Sequence, residues 1–435
     1  MDDQSKRISS LTPQQRELLE LRLKEKGIFA PLQSNHSSTN TLDATRKDAE
    51  GDVVRRFETD GAPQDWKRSS ISKGIEFSLY FFSADGSKQT TDKYRLLLES
   101  AKFADAHDFA AVWTPERHFQ DFGGLYPNPS VLSAALAVIT ERVKIRAGSV
   151  ALPLHNPIRV VEEWAVVDNL SKGRVGISFA SGWHTDDFVF FPENYDDRKA
   201  VMYRYIQNIQ KLWTGETVKF QGVAGSEVEL RTLPKPVQPR LPIWITSAGN
   251  PETWERAAEI GANVLAPLTG YSFEDLARQI ALYRSSLTRH GHDSKAGQVT
   301  LMLHTFVGNN NAAVKDTVKA PLRNYLRGYI KQFKNTNADV GSLTENDLDA
   351  LTTRAFEHYF ETSTLLGTPN KCAELVERLI EVGANEVACL IDFGVNVDSV
   401  LGSLHYLNEL REHYRPAPDR QAQSDSTEEH QRSRQ

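Results

Sequence analysis

The sequence predicts a (β/α)8 barrel, and three observations carry that prediction. Eight short apolar runs follow one another between residues 74 and 414. Each run is close to continuous in its hydrophobicity, as a strand buried on both faces of a parallel sheet must be. Amphipathic stretches of helical period separate them, and strand alternating with helix eight times matches the repeat of a closed barrel. A doubly wound open sheet is the alternative built from the same parts.

Taken in order, the strand-like runs are EFSLYFF (76–82), AAVWTP (110–115), KIRAGSVALP (144–153), RVGISFAS (174–181), LPIWITSA (241–248), NVLAPL (263–268), TLMLHTFVG (300–308) and EVACLIDFG (386–394). Helix-like segments lie at 91–105, 130–140, 159–170, 198–213, 251–260, 273–289 and 370–382. Two insertions break the rhythm. Residues 215–240 read as a hairpin, and 311–362 read as a helical excursion before the last strand. Insertions of that length in barrels sit on the loops that build or cover the site.

The flanks differ in kind. LTPQQRELLELRLKEKG (11–27) carries helix signals: Thr12 to cap, Pro13 at the first helical position, Gln15 for a capping box and Gly27 to stop. An isolated helix of this length is marginal in water, so its leucines call for a partner surface. The stretch that follows is rich in Ser, Thr, Asn and Asp, a linker's composition. The domain plan is therefore a helix at 1–28 that could dock on a partner, a flexible linker at 29–73, the barrel at 74–414 and a disordered tail at 415–435.

Composition narrows the function classes. The chain has 435 residues, 40% hydrophobic and 25% charged, with a formal net charge of -6. That balance, with no dense Lys/Arg block, argues against a nucleic-acid face. Cys372 and Cys389 are too few for a disulfide scaffold or a multi-cysteine zinc site. The start MDDQSKRISS lacks the apolar core of a signal peptide, and no apolar run is long enough for a membrane span. A cytoplasmic protein without membrane attachment is expected.

Barrel chemistry sits at the C-terminal ends of the strands. There the second run ends in Glu116, Arg117 and His118. His118 suits a general acid/base, Arg117 a stabiliser of negative charge, and Glu116 a group that orients one of them. The competing reading is a buried Glu116–Arg117 pair that only closes the strand end. After the fourth run come Ser181, Trp183 and His184, where an indole can wall a flat ring and an imidazole can move a proton. Alternatively, Trp183 merely covers the mouth and His184 is solvated. Gly148 and Ser149 allow a flat ring to approach the backbone, or else mark a simple bulge. In ITSAGNPET, Ser247, Gly249, Asn250 and Thr253 surround a helix start where a phosphate would fit, unless this is an ordinary cap. His304 reads as a satisfied core histidine, and Asp392 as a group that orients a neighbour or caps a turn. No HExxH, GxSxG, P-loop or GxGxxG is present, so no metal site is expected, and a planar organic cofactor suits the set best.

Residues 74–411 resemble the bacterial luciferase-like flavin monooxygenases, and within them the subgroup associated with nonribosomal peptide and polyketide biosynthesis. The resemblance rests on VWTPERHF with FGGLYPNPS, RAGSVALPLHNP, EEWAVVDNLSKGRVGISFASGWH, LPKPVQPRLPIWITSAGNPET, VTLMLHTFVG and ACLIDFG. It implies the same barrel, reduced FMN (FMNH2) delivered by a separate NAD(P)H-dependent flavin reductase, and O2 as co-substrate. One oxygen atom would enter a natural-product intermediate tethered to a carrier protein of a synthetase, and a homodimer is compatible with the resemblance. By position, Ser149, Val150 and Ala151 would back the flavin ring beside a non-proline cis peptide, with Asn250 and Thr253 at its phosphate. The chain departs from luciferase proper at Arg117, where a catalytic histidine stands, and at Ser181, where an arginine binds phosphate, so light emission is not expected. The segment at 11–27 is similar to short Leu-rich helices that adjoin carrier-protein modules. Deazaflavin-dependent hydride transfer and a non-catalytic flavin-binding protein are the rival readings.

Overall fold

The computed structural model describes residues 74–82, 92–269, 271–332 and 344–416. The helix at 1–28, the linker at 29–73 and the tail beyond 416 lie outside the described residues. The elements run β1 (Glu76–Tyr80), α1 (Arg95–Ala106), β2 (Ala111–Thr114), α2 (Pro129–Ile139), β3 (Lys144–Ala151), α3 (Pro157–Ser171), β4 (Val175–Ala180) and α4 (Arg198–Trp213). Then follow β5 (Val218–Gln221), β6 (Glu227–Leu230), β7 (Ile243–Thr246), α5 (Pro251–Glu259), β8 (Asn263–Pro267), α6 (Phe273–Arg289) and β9 (Val299–Val307). The last are α7 (Asn311–Gln332), α8 (Glu345–Thr362), β10 (Leu365–Gly367), α9 (Pro369–Glu381), β11 (Glu386–Leu390) and α10 (Val397–Tyr414).

Eight of these strands, β1, β2, β3, β4, β7, β8, β9 and β11, form one parallel ring, closed where β11 pairs with both β9 and β1. Each corresponds to one of the eight apolar runs, and closure excludes the open sheet. The insertion at 215–240 is the antiparallel β5–β6 hairpin, and the insertion at 311–362 supplies α7 and α8. A ninth short strand escaped the sequence reading. β10 is three residues long and pairs with Thr305–Val307 on β9, too short to show any period.

Helix starts recur in one form. Asn128, Asn156 and Asn250 each accept backbone N–H bonds into their side chains, and Pro129, Pro157 and Pro251 follow at once. The proline lacks a donor where none is needed, and the asparagine satisfies the next ones. These caps fix where each helix departs from its strand end. No helix among the described residues is long and apolar enough to cross a membrane.

The lower half of the barrel interior is plugged by a charged pair. Arg146 on β3 donates to Glu386 on β11 at 2.7 Å, and both are buried. Ser78 Oγ and Trp113 Nε1 also donate to Glu386 Oε1, at 2.6 and 3.0 Å. The Arg146 guanidinium lies 4.9 Å from the Trp113 ring centre and 4.4 Å from that of Trp244. Both charges are thus compensated and the remaining space is filled by indoles, leaving the opposite end of the barrel for a site.

Above this layer, the peptide between Gly148 and Ser149 is cis, and the β3–β4 register shifts between Gly148 and Val150. A Cβ on Gly148 would lie 2.7 Å from Tyr80 Cε2 and 3.1 Å from Trp113 Cε3. Tyr80 is held there, because its hydroxyl donates to the Gly148 carbonyl. Gly148→Ala is therefore expected to destabilise the barrel by about 1–3 kcal/mol, as overpacked cores are. Urea unfolding measures it, and an unchanged midpoint would show that the Tyr80 ring gives way.

Candidate active site

The strand ends converge. Asp392, after β11, accepts the Phe82 N–H with both oxygens, at 3.0 and 3.1 Å. Its carboxylate thereby fixes the chain leaving β1. The Arg117 guanidinium lies 5.0 Å from the Phe82 ring, 5.4 Å from Phe122 and 5.7 Å from Trp183, joining β1, β2 and the loop after β4. Burial draws Arg117 below the usual guanidinium range, an effect opposed by Tyr325, Asp187, Tyr329 and Tyr80 nearby. Ser149 and Ser178 both meet the Thr246 hydroxyl, which ties β3, β4 and β7 together.

Glu116 does not pair with Arg117. Its Oε1 accepts from His118 Nε2 at 2.8 Å and from His155 Nε2 at 2.7 Å, and its Oε2 accepts the Ala151 N–H at 2.8 Å. Burial would raise this carboxyl, but His155 and His118 outweigh it and hold Glu116 below the ordinary carboxylate range. Glu116 is therefore ionised at neutral pH, and a carboxylate oxygen only accepts. Both imidazoles must present Nε2–H to it. His118 is left with Nδ1 as its proton-accepting atom, held at the mouth beside the Phe119 and Phe190 rings at 5.5 and 5.0 Å.

His184 is buried, with its ring 5.3 Å from Trp183 and its Nδ1 3.8 Å from Asp187, beyond hydrogen-bond reach. Burial pushes the Asp187 carboxyl up, against the pull of His184, His118 and Arg117. Trp183 is exposed, and Ser181 stands at the end of β4. Val150 is buried, while Ser149 and Ala151 are partly exposed along the end of β3.

At the start of α5, Asn250 caps with its side chain on the Glu252 N–H at 2.9 Å, and the Thr253 N–H bonds to the Asn250 carbonyl at 3.1 Å. Those two donors are taken within the turn. Ser247 is buried and accepts from the Gly249 N–H at 3.4 Å. Gly249 has φ +114°, a left-handed backbone closed to most side chains, and a Cβ there would meet nothing nearer than Tyr271 Oη at 3.8 Å. Thr253 is partly exposed in the first turn.

His304 is buried as a core histidine would be, yet neither ring nitrogen has a hydrogen-bond partner. Tyr325 from α7 and Phe393 stand edge-on to it at 4.5 and 5.5 Å. Burial pushes its pKa down to about 3, so the ring is neutral, with one donor and one acceptor unmet. A mouth with orphaned imidazole nitrogens at His304 and His184, a close-packed glycine on β3 and an open cradle at Gly249 fits a planar ring carrying polar edges. His155 is the residue sequence reasoning missed. It lies four positions past Ala151 in LPLHNP, and extending the strand-end rule by one turn of loop would have found it.

Comparison with known proteins gives concordant results. A family described as luciferase-like monooxygenase matches residues 75–386. The oxygenase component of a flavin-dependent trigonelline monooxygenase from Acinetobacter baylyi is 26% identical over 351 residues, covering 77% of this chain and 94% of that protein. An alkanal monooxygenase alpha chain from Photorhabdus luminescens is 24% identical over 333 residues, covering 72% and 89%. Among solved structures, the oxygenating constituent of 3,6-diketocamphane monooxygenase from Pseudomonas putida, a type II Baeyer-Villiger monooxygenase in complex with FMN, aligns with TM-score 0.63 at 17% identity. It covers 78% of this chain and 98% of that one.

Proposed function

The chain belongs to the luciferase-like monooxygenase family, and from that premise we propose that it is the oxygenase component of a two-component system using reduced FMN and dioxygen. The observation that carries this reading is the pair formed by Glu116 and His118 at the barrel mouth, next to the close-packed backbone of β3. Ser149, Val150 and Ala151 would line one face of the flavin, Trp183 would wall it, and Ser181, Ser247, Gly249, Asn250 and Thr253 would surround its phosphate. When bound, reduced flavin supplies the electrons by which one oxygen atom enters the substrate and the other leaves as water. The chain's own residues do the rest. His118 Nδ1 holds or gives a proton, Glu116 keeps the ring oriented, His184 is a second proton carrier, and the rim of Phe82, Phe122 and Trp183 keeps water from the reacting atoms while Arg117 stabilises negative charge.

The substrate in this proposal is a natural-product intermediate held on a carrier protein, as in antibiotic and related secondary-metabolite biosynthesis. What supports it is the sequence resemblance, including the Leu-rich segment at 11–27. Tethering would raise the local substrate concentration without any new contact at the site. The reductase requirement is the direct test. Purified chain with FMN and NAD(P)H but no other protein is expected to show no steady NAD(P)H oxidation, since no dinucleotide fingerprint is present. Addition of a flavin reductase should bring oxygen consumption. Steady oxidation by the chain alone would sink the two-component reading, and flavin binding with no oxygen uptake would favour a binding protein.

A further inference from the structure

One carboxylate oxygen serves two imidazoles. Glu116 Oε1 lies 2.8 Å from His118 Nε2 and 2.7 Å from His155 Nε2. A positive charge on either ring takes up part of the negative charge that would stabilise a proton on the other. His118 packs against the Phe119 and Phe190 rings with its side chain 10% exposed, whereas His155 stands at the end of the turn that follows β3, 29% exposed. We infer that His155 is a positioning residue that sets the basicity of His118 through the shared oxygen of Glu116. This rests on the reading of His118 as the acid/base.

The surrounding charges agree with that assignment. Burial works against a proton on His155, but Glu116 beside it and Glu163 from α3 raise its pKa above the usual imidazole value. The other groups acting on this cluster are Arg117 on the β2 end, with Asp187 and His184 on the loop after β4. The sign follows. Below the folded pKa of His155 its charge offsets Glu116, and His118 holds its proton less firmly. As pH rises through that value the offset is lost, and His118 becomes the stronger base.

Imidazole nitrogen NMR on the flavin-free full chain tests the coupling without any turnover. The His118 resonances should show an inflection at the pH where His155 titrates, and should lose it in His155→Gln, whose amide can still donate to Glu116. With reduced flavin and a reductase, His155→Gln should move the acid limb of the pH–turnover profile up by about 1 pH unit, the size of a single close charge effect. His155→Lys, which restores a positive charge, should move it back. Absence of the inflection overturns the inference whatever the limb does. An inflection with an unmoved limb leaves the coupling standing and overturns the acid/base role of His118 instead. Should His155→Gln fail to fold, His155→Asn carries the same comparison.

Discussion

Turnover should fall about 10²-fold or more in His118→Ala, with flavin affinity nearly unchanged, as expected for loss of a positioned acid/base. The geometry separates the two readouts. His118 contacts the rest of the protein through one hydrogen bond to Glu116 and through ring contacts with Phe119 and Phe190, which are themselves exposed. It closes no helix, and Glu116 keeps its bonds to His155 and to the Ala151 N–H when the imidazole is removed, so the buried carboxylate stays compensated. Product formation by a reductase-coupled assay, with flavin binding followed by fluorescence, makes the comparison. A lowered melting temperature with unchanged turnover per folded molecule would assign His118 to structure. Thr253→Ala should give the opposite pattern, weakened flavin binding with the chemical step intact.

Arg146→Ala should cost about 3–5 kcal/mol, because it leaves Glu386 ionised and uncompensated inside the barrel. The pH dependence follows from Glu386. Burial pushes its carboxyl up, but Arg146, Ser78 and Trp113 outweigh burial and hold it below the usual carboxylate range. A depressed folded pKa contributes stability above the unfolded carboxyl value, and that contribution fades as pH falls through the folded one. In Arg146→Ala burial is no longer outweighed and the Glu386 carboxyl rises above its unfolded value, so the penalty is full at neutral pH and lessens as pH falls and Glu386 takes up a proton. The gap to wild type should narrow in mild acid. Urea unfolding at pH 7 and at mildly acidic pH measures both effects. The double variant Arg146→Met with Glu386→Leu should recover much of the loss, since apolar groups can replace a buried pair. Equal stability of wild type and Arg146→Ala would mean that water or a shifted side chain reaches Glu386.

Much of the architecture was legible because it is written in local pattern. Continuous apolar runs marked all eight ring strands, and the break in rhythm at 215–240 was read as the β5–β6 hairpin. Asn250 followed by Pro251 announced the start of α5, since a cap needs only its immediate neighbours. β10 was silent, because its three residues become a strand only by pairing with β9.

The candidate site was half legible for the same reason. ERHF and SGWH could be placed at strand ends by counting, but which side chain meets which could not. Glu116 stands next to Arg117 in sequence and yet accepts from His155, 39 positions away. Arg146 and Glu386 look like ordinary charges near strand starts, and they meet across 240 positions. His304 reads as a settled core residue, whereas only the packed barrel leaves both its nitrogens without partners. The elements and their order could be read from the chain, because propensity and period act over a few residues, and counting to the strand ends was enough to name candidate side chains. Which side chains meet was set by the folded barrel, because ring closure brings distant strands together. There the low dielectric makes each buried charge take whichever compensating group the packing sets within reach.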